Sequence, residues 1–425
     1  MPIRYPSSYY AATAPITARP ALSDKRQTQV CVLGGGFSGL STALHLLEKG
    51  FEVIVLEAAG IGFGASGRNG GQMVHSYSRD LDVIEKSCGM DTARAMGEMA
   101  FEGNRIIRQR IEKYGIECDL KDGGAFVALN PRQRQGLSHH QALWQRYGYQ
   151  QLELLEKDRL GELVDSPRYE AALLDHGAGH LHPLKLALGQ ARAIESLGGQ
   201  IFEQSAVTQV DKGAKVRVHT ASGLVEADYL VVAGNAYLGN LLPPLASKAM
   251  PCGTQIVTTE PLDASLAQSL IPNGYCIEDC NYLLDYYRLT ADNRLLYGGG
   301  VTYGGGDPAN IEAAIRPNLE ATFPQLKGVK LDYHWGGDFL LTLNRLPQLG
   351  RLDSNIFYAQ GYSGHGVTTT HLAGKVLAEA IAGASQRFDV FASLPHLPFP
   401  GGRALRVPLT ALGAFWYSLR DKAGF

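Results

Sequence analysis

The sequence contains no apolar run of about 20 residues, the length that a helix needs to cross the hydrocarbon core of a membrane. Its amino-terminal segment is polar and contains several prolines, and so it differs from a secretory signal. A strong excess of either charge is also missing, because 39 basic and 41 acidic residues leave a formal charge of −2. We therefore expect a cytoplasmic protein without a transmembrane segment and without a nucleic-acid partner.

Cysteine is scarce, with six residues among 425, and the six are scattered along the chain. This distribution excludes a disulfide framework of the kind that stabilises small secreted domains, and it predicts reduced thiols. Cys276 and Cys280 form a close pair, but no second pair or histidine completes a set of metal ligands. We therefore predict no metal site.

Glycine, by contrast, is abundant, with 50 residues that cluster in segments such as GGGFSG, GIGFGASGRNGG and YGGGVTYGGGD. Clustered glycine is typical of sites where the backbone approaches a ligand closely. The chain is also longer than the roughly 250 to 300 residues at which a single hydrophobic core stops growing. We therefore expect two domains and a ligand held against glycine-rich backbone.

A complete βαβ unit opens the ordered part of the sequence. QTQVCVL predicts a strand, GGGFSG a tight turn, LSTALHLLEKG a helix, and residues 51–56 a second strand. In a G-x-G-x-x-G turn, Gly34 allows the bend, Gly36 lets a pyrophosphate approach, and Gly39 lets the helix pack on the strand. Glu57 ends the second strand, where its carboxylate accepts hydrogen bonds from both ribose hydroxyls. The unit therefore predicts FAD or NAD rather than NADP.

The segment after the second strand favours FAD over NAD. A glycine-rich loop stands where an NAD-binding domain usually continues into another helix. Backbone donors of such a loop suit the long pyrophosphate-to-isoalloxazine part of FAD, and Arg68 supplies positive charge. The loop residues assigned to the cofactor are Ser66, Arg68, Asn69, Gly70, Gly71 and Gln72. A mobile surface loop is the alternative interpretation of the same composition.

Together these motifs resemble the D-amino-acid-oxidase-like superfamily of FAD enzymes, which includes sarcosine oxidase and glycine oxidase. Residues 228–237 look like the strand and glycine turn that close on FAD in that family, and residues 355–381 look like the strand, turn and helix that meet the flavin pyrimidine. Val207 lies where the family contacts adenine through backbone atoms. The resemblance implies that FAD is bound by Gly34, Gly36, Phe37, Ser38, Gly39, Glu57, Ala58, Ser66, Arg68, Asn69, Gly70, Gly71, Gln72, Val207, Gly234, Asn235, Gly361, Tyr362, Gly364, Gly366 and Val367.

The last of these turns also has a physical role of its own. Reduced flavin carries negative charge near N1 and the C2 carbonyl, and a helix N-terminus lowers the energy of such a charge. Gly361, Gly364 and Gly366 allow the backbone to come close to the ring. His365 either points at the ring or caps the turn.

Non-covalent binding of FAD is predicted from the distribution of cysteine. Sarcosine oxidase links its flavin to a cysteine of the substrate-side segment, whereas this chain has no cysteine after Cys280. A histidyl link through His75 or His365 stays open.

The substrate side has to favour a neutral amine, because the nitrogen lone pair drives the hydride away from the neighbouring carbon. An apolar pocket with aromatic walls favours the neutral form. Tyr282 and Tyr286 share one face of a predicted strand, and Tyr287 lies on the other face. Core packing is the alternative for any one of these tyrosines. The candidate catalytic residues are Tyr286, Phe339 and His365.

An arginine is missing where the amino-acid oxidases of the family bind the substrate carboxylate. Their motif W-A-G-L-R-P-x-T-x-D-x-x-P corresponds to residues 335–347, with Phe339 in place of the arginine and Asn344 in place of the aspartate. A carboxylate on the reacting carbon would lose a strong bidentate contact without that guanidinium. Substrates are therefore expected to be amines rather than α-amino acids.

Further segments, such as PCGTQIVTTE and PHLPFPGGRALRVP, narrow the resemblance to members that oxidise a glutamylated diamine in polyamine breakdown. This implies that a small-molecule amine is converted to an aldehyde, ammonia and hydrogen peroxide, with molecular oxygen as the expected acceptor and a quinone as the alternative. Arg288, Arg294 and Arg345 are candidates for holding the distant carboxylate of such a substrate. An enzyme for spermidine, a free diamine or a secondary amine remains open, and so does a flavin-binding subunit without turnover.

The expected fold class is α/β, with a Rossmann-type FAD-binding domain interleaved with an antiparallel-sheet substrate domain, as in D-amino-acid oxidase and sarcosine oxidase. Residues 1–88, 170–250 and 336–425 are assigned to the FAD-binding domain. Residues 89–169 and 251–335 are assigned to the substrate domain, because strand-like runs such as NYLLDYYRLT alternate there.

Overall fold

The computed structural model describes residues 4–423, in the last helix without the side chains of residues 403, 417, 418 and 420–423. The strands are β1 Lys25–Leu33, β2 Val53–Leu56, β3 Lys121–Ala128, β4 Leu152–Glu156, β5 Ala171–His180, β6 Gln200–Phe202, β7 Val207–Asp211, β8 Val216–Thr220, β9 Leu224–Val232, β10 Ala249–Thr259, β11 Cys276–Asp279, β12 Tyr286–Leu289, β13 Leu295–Tyr303, β14 Leu331–Thr342, β15 Gln348–Asp353 and β16 Ile356–Gln360. The α-helices are α1 Tyr9–Thr13, α2 Phe37–Leu47, α3 Leu81–Cys88, α4 Met90–Ala100, α5 Glu102–Tyr114, α6 Pro131–Arg146, α7 Pro183–Ser196, α8 Pro243–Ala246, α9 Ala264–Leu270, α10 Ile311–Thr322, α11 Gly366–Ile381, α12 Gln386–Ala392 and α13 Gly402–Ala423.

The first sheet has the strand order β15-β16-β9-β1-β2-β6, and the five strands from β16 to the edge strand β6 run parallel. The β7–β8 hairpin joins it through an antiparallel contact between β8 and β9. Strand β1 is buried from Val30 to Leu33, as expected for a central strand covered on both faces. The predicted βαβ unit is confirmed as β1, α2 and β2. Ligands of such sheets bind at the carboxyl ends of the parallel strands.

The second sheet has the strand order β14-β10-β13-β12-β11-β3-β5-β4 and is antiparallel, except that β11 and β3 run parallel. That parallel pair joins the two stretches of chain that were predicted to fold together. The expected α/β class, with a Rossmann-type sheet interleaved with a largely antiparallel one, is therefore confirmed.

Two strands lie in a different sheet from the one that the predicted domain boundaries imply. Strand β5 lies in the second sheet, although residues 170–250 were assigned to the FAD-binding domain. Strand β14 also lies in the second sheet and pairs with β10 along its length, although residues 336–425 were assigned to the FAD-binding domain. We propose that both boundaries fall after these strands, because a strand belongs with the sheet to which it is hydrogen-bonded.

The carboxyl-terminal helix α13 is attached through its first turns. Arg406 donates hydrogen bonds from Nη1 to the carbonyl oxygens of Ala246 and Ala249, at 2.9 and 3.0 Å. Further along the helix, Leu412, Phe415 and Trp416 are exposed. Within residues 4–423, no helix combines the length and the apolarity that crossing a membrane requires.

Candidate active site

A cavity of about 560 Å3, the first cavity, lies where the carboxyl ends of the parallel strands meet the second sheet. It brings together most of the residues that were assigned to the cofactor, and also Tyr286, Phe339 and His365. The cofactor candidates that line it are Gly34, Gly36, Phe37, Ser38, Glu57, Ala58, Ser66, Arg68, Asn69, Gly70, Gly71, Gln72, Val207, Gly234, Asn235, Tyr362, Gly364, Gly366 and Val367. Gly39 and Gly361 do not line it, and the structure assigns them other roles.

The glycine turn between β1 and α2 forms one end of the first cavity. Gly34 has a φ of +112°, and a Cβ there would lie 2.7 Å from the carbonyl oxygen of Ala233. A Cβ on Gly36 would lie 2.9 Å from Ser66 Oγ, which accepts a hydrogen bond from the Phe37 amide at 2.9 Å. A Cβ on Gly39 would overlap the carbonyl oxygen of Gly34, so Gly39 serves the close packing of helix on strand. The turn is shaped to bring bare backbone to a ligand.

Helix α2 begins at this turn with Gly36 as its N-cap and without a side-chain capping bond. Ser66 Oγ accepts from the amide of Phe37, and the amides that follow it and the positive end of the helix dipole lie at the cavity, where both favour a phosphate group. Glu57 lies beside it at the end of β2. Its carboxylate accepts hydrogen bonds from the amides of Gly35 at 2.7 Å and Ala59 at 2.8 Å, and burial raises its pKa. These backbone contacts hold the side chain where a ribose would lie.

The glycine-rich loop is held by its own hydrogen bonds. Asn69 donates from Nδ2 to the carbonyl oxygen of Ala65 at 2.9 Å, and its Oδ1 accepts from the amide of Gly71 at 2.8 Å. Arg68 donates from Nε to the carbonyl oxygen of Phe63 at 2.7 Å, and its guanidinium carbon lies 4.6 Å from the centre of the Phe63 ring. The loop lines the cavity and is held by these hydrogen bonds, which favours a cofactor-binding element over the alternative of a mobile surface loop.

A second turn closes the cavity from the β16 side. Asn235 has a φ of +43° and accepts a hydrogen bond on Oδ1 from the amide of Gly361 at 3.1 Å. Gly361 has a φ of +74° and is buried beneath the turn, so it shapes the turn rather than lining the cavity. The Tyr362 hydroxyl lies 2.7 Å from Ser38 Oγ, which ties this turn to α2. Two helix N-termini, those of α2 and α11, therefore converge on one cavity.

The second sheet provides the wall opposite the loop. The Tyr286 ring packs against Gly70, where a Cβ would lie 2.6 Å from the ring edge. Tyr287 faces the other side, with its ring stacked 5.5 Å from that of Tyr297 in a separate core. Tyr282 precedes β12 rather than lying in it, but it lines the cavity together with Tyr286. The predicted division of the three tyrosines between two faces is thus seen, and their catalytic roles stay predictions.

His365 and Phe339 lie on different elements of this wall. His365 is the N-cap of α11 but makes no side-chain capping bond, so the capping alternative is not seen. Among the described residues, its Nδ1 is buried without a hydrogen-bond partner, and burial lowers its pKa to about 4. The imidazole is therefore neutral at pH 7. Phe339, on β14, presents an apolar ring where amino-acid oxidases of the family present a guanidinium.

The three candidate arginines have different surroundings. Arg288 is buried and donates to the carbonyl oxygens of Gly70 at 2.6 Å and Leu181 at 3.0 Å, so it holds the fold together. Arg294 forms ion pairs with Asp292 at 2.8 Å and with another carboxylate. Arg345 alone of the three lines the first cavity.

Arg345 is held in place by an aromatic neighbour. Its guanidinium carbon lies 4.6 Å from the centre of the Tyr282 ring, and its Nη2 donates to the Tyr282 hydroxyl. Its backbone has a φ of +58°, which is uncommon outside glycine and typical of constrained functional positions. Within the described part of the chain it makes no ion pair with a carboxylate.

Glu278 was missed by the sequence analysis. It lines the first cavity and also a second cavity of about 560 Å3, which shares Val74, Ser78, Glu278, Tyr282 and His365 with the first. The only sequence signal was an acidic residue inside the strand-like segment CIED. Because the neighbouring Asp279 gives the same signal, the sequence does not show which of the two faces a cavity.

Comparisons with known proteins show similarity over nearly the whole chain. The family model described as FAD dependent oxidoreductase matches residues 29–380. Gamma-glutamylputrescine oxidoreductase of Escherichia coli (strain K12) is 62% identical over 420 residues, which cover 98% of this chain and 99% of that protein. A probable oxidoreductase of Haemophilus influenzae is 43% identical, with 95% and 94% covered. The solved structure of glycine oxidase from Geobacillus kaustophilus has a TM-score of 0.74 at 20% identity, with 88% of this chain and 100% of that one covered, and it shares the fold.

Proposed function

The chain belongs to the DAO family of FAD-dependent oxidoreductases, and from this premise we propose that it oxidises the terminal primary amine of gamma-glutamylputrescine. The products are the aldehyde, ammonia and hydrogen peroxide. In the balanced reaction one amine, one O2 and one water give one aldehyde, one ammonia and one H2O2. The E. coli relative bears this substrate in its name, and its similarity extends over both chains.

The charge arrangement of the first cavity is the observation that carries the proposal. Phe339 places an apolar ring, and no cation, at the position where the family motif has its carboxylate-binding arginine, which disfavours α-amino acids. Arg345 lines the same cavity and lacks a carboxylate partner among the described residues. A substrate with an unbranched amine arm and a distant carboxylate fits both features. We propose that Arg345 holds the carboxylate of the glutamyl end.

FAD, when bound, accepts a hydride equivalent from the carbon that bears the nitrogen, and water then converts the resulting imine to aldehyde and ammonia. The chain supplies the surroundings for this reaction. The rings of Tyr286 and Phe339 exclude water from the reacting nitrogen and so favour the neutral amine. The open N-terminus of α11 favours negative charge beside it.

The pattern of substrates is the first test. We expect purified protein to consume oxygen and to form peroxide and ammonia faster with gamma-glutamylputrescine than with putrescine or spermidine, because only the glutamylated amine reaches Arg345. Peroxide, ammonia and aldehyde should appear in equal amounts. Faster turnover of free putrescine would contradict the proposed substrate. Anaerobic bleaching of the flavin without peroxide in air would point to another electron acceptor.

We also expect the cofactor to be released when the protein is denatured in acid. Cys252 lines the first cavity, but burial raises the pKa of its thiol to about 12, which keeps it protonated and a poor nucleophile. His75 lines the second cavity and not the first. After acid precipitation the supernatant should be yellow, with the absorbance of free FAD. A yellow pellet would show a covalent link, and His365 would then be the residue to replace.

A further inference from the structure

Glu278 is an acid on the wall of the proposed active site, and it has no positive partner among the residues that the structure describes. It lies on β11 directly opposite Tyr286 on β12 and Phe126 on β3, so that the three side chains share one face of the sheet. Among the described residues, no hydrogen bond or ion pair to its carboxylate is found. A charged group in such surroundings is costly unless a ligand provides the counter-charge.

The position of Glu278 connects it to the flavin-binding loop. Tyr286 packs against Gly70, and Gln72 donates a weak hydrogen bond from Nε2 to the carbonyl oxygen of Ile277, at 3.4 Å. The face of β11 that carries Glu278 is therefore the face that the loop approaches. Glu278 opens onto the first cavity on this side and onto the second cavity on the other.

Asp80, another acid of the second cavity, is already engaged. It accepts hydrogen bonds from Trp144 Nε1 at 2.9 Å and from the amide of Leu81 at 2.8 Å, and its carboxylate lies 3.4 Å from His140 Nδ1. Glu278 differs from it in having neither a donor nor a counter-charge within the described part of the chain. Its carboxylate, at the junction of the two cavities, is therefore placed to receive an incoming cation.

We propose that Glu278 binds the ammonium group of the substrate and accepts its proton. This inference rests on the proposed function, because it needs a substrate that arrives as an ammonium ion and reacts as a neutral amine. One proton moves from the ammonium nitrogen to a carboxylate oxygen of Glu278. The amine keeps its lone pair, the carboxyl becomes neutral, and no electrons are exchanged in this step. The two opposite charges are thus neutralised before the carbon–hydrogen bond breaks.

The groups around Glu278 set the pH at which this step operates. Burial, together with the charge of Asp279 on the same strand, raises the pKa of Glu278 to about 7. Asp279 also has a pKa of about 7, raised mainly by burial, but it points to the opposite face, towards Asp285 and Arg168. Tyr286 on the neighbouring strand stays protonated because burial raises its pKa.

The histidines that line the two cavities with Glu278 do not produce a rise in rate near pH 7. The titratable or charged groups that line the second cavity with Glu278 are His75, Tyr77, Asp80, Arg132, His140, Cys280, Tyr282 and His365. Those that line the first cavity with it are Glu57, Arg68, Tyr237, Cys252, Tyr282, Tyr286, Tyr303, Arg345, Tyr362 and His365. Burial lowers the pKa of His75, His140 and His365, so these rings are neutral at pH 7. A rate that rises through about pH 7 can therefore be assigned to an acid of β11, and a control at Asp279 identifies which one.

The test is the pH profile of kcat/KM for gamma-glutamylputrescine in the FAD-loaded enzyme. The wild type should give a bell, rising near pH 7 as Glu278 ionises and falling as the substrate ammonium loses its proton in solution. In Glu278→Gln the rise of kcat/KM near pH 7 should vanish, and kcat/KM at pH 7 should fall about 100-fold. The remaining kcat/KM should increase towards high pH, where the substrate is present as free amine. Glu278→Asp should keep the rise near pH 7. Asp279→Asn should keep a bell, with its rising limb shifted to lower pH because the charge of Asp279 no longer raises the pKa of Glu278.

A binding measurement separates this role from a structural one. Gamma-glutamyl-n-butylamide lacks the reacting nitrogen, and its binding is followed by the change in flavin absorbance. Glu278→Gln should bind it at least as tightly as the wild type does. The proposal would be overturned if Glu278→Gln lost the same fraction of kcat/KM at every pH, or if its pH profile kept the rise near pH 7. Weaker binding of the butylamide by this variant than by the wild type would also overturn it. If the wild type oxidises another primary amine but not gamma-glutamylputrescine, the proposed substrate fails, and the same profiles with that amine still decide the role of Glu278.

Discussion

Replacing Gly36 by valine is expected to give a colourless protein. A Cβ at this position would lie 2.9 Å from Ser66 Oγ, and the two methyl groups beyond it would occupy the space beside the first amides of α2. We expect the affinity for FAD to fall at least about 100-fold, which corresponds to about 2.7 kcal/mol. The measurement is titration of the FAD-free protein with FAD, followed by flavin fluorescence, with circular dichroism to verify the fold.

Gly161→Val is the matched control for this substitution. Gly161 is exposed, and a Cβ there would meet no atom within 4 Å. This variant should purify with as much FAD as the wild type. A yellow Gly36→Val protein with a normal cofactor content would show that the turn between β1 and α2 does not bind the phosphates.

Replacing Arg345 by methionine should lower kcat/KM for gamma-glutamylputrescine about 10- to 100-fold and leave the slow oxidation of putrescine unchanged. Only the glutamylated substrate has a carboxylate to lose, and a hydrogen bond to a charged group contributes about 1.5 to 3 kcal/mol. Initial rates with both amines measure the effect. Arg345→Lys should reduce kcat/KM for gamma-glutamylputrescine less, because lysine keeps the positive charge although it lacks the planar guanidinium that binds a carboxylate through two hydrogen bonds.

A matched control for this experiment is Arg192→Met, at an exposed position of α7, which should behave as the wild type with both amines. A parallel loss of putrescine oxidation in Arg345→Met would mean that Arg345 supports the cavity wall through Tyr282 rather than binding the carboxylate. Unchanged kinetics with both amines would remove Arg345 from the site altogether.

Sequence reasoning was most successful where the relevant residues are close together in the chain. The turn at Gly34 and Gly36 is an example, because steric limits on the backbone and the pattern of strand, turn and helix are local properties. Even there, a partner from further along the chain was missed: Ser66 Oγ accepts from the first amide of α2. The close packing predicted at Gly39 is seen in the structure, and its contact with the cofactor stays a prediction because Gly39 does not line the first cavity.

Sequence reasoning was least successful where strands far apart in the chain become neighbours. Strand β5 and most of β14 were assigned to the FAD-binding domain although both strands join the second sheet, because an apolar strand does not reveal which sheet it will join. Arg288, Arg294 and Arg345 were equivalent in the sequence. In the structure they are respectively a buried support, a largely buried ion-paired group and a cavity residue.

The sequence by itself determined the cofactor class, the parallel βαβ unit and the absence of an arginine at position 339, because each of these depends on residue type and short spacing. Only the tertiary structure decided which charged groups reach the cavity. Glu278 on β11 is paired in register with Phe126 on the adjacent strand β3, which lies 152 residues earlier in the chain. Strand pairing has a side-chain period of two, so a shift of one residue would have placed Asp279 in the cavity and buried Glu278 in the core.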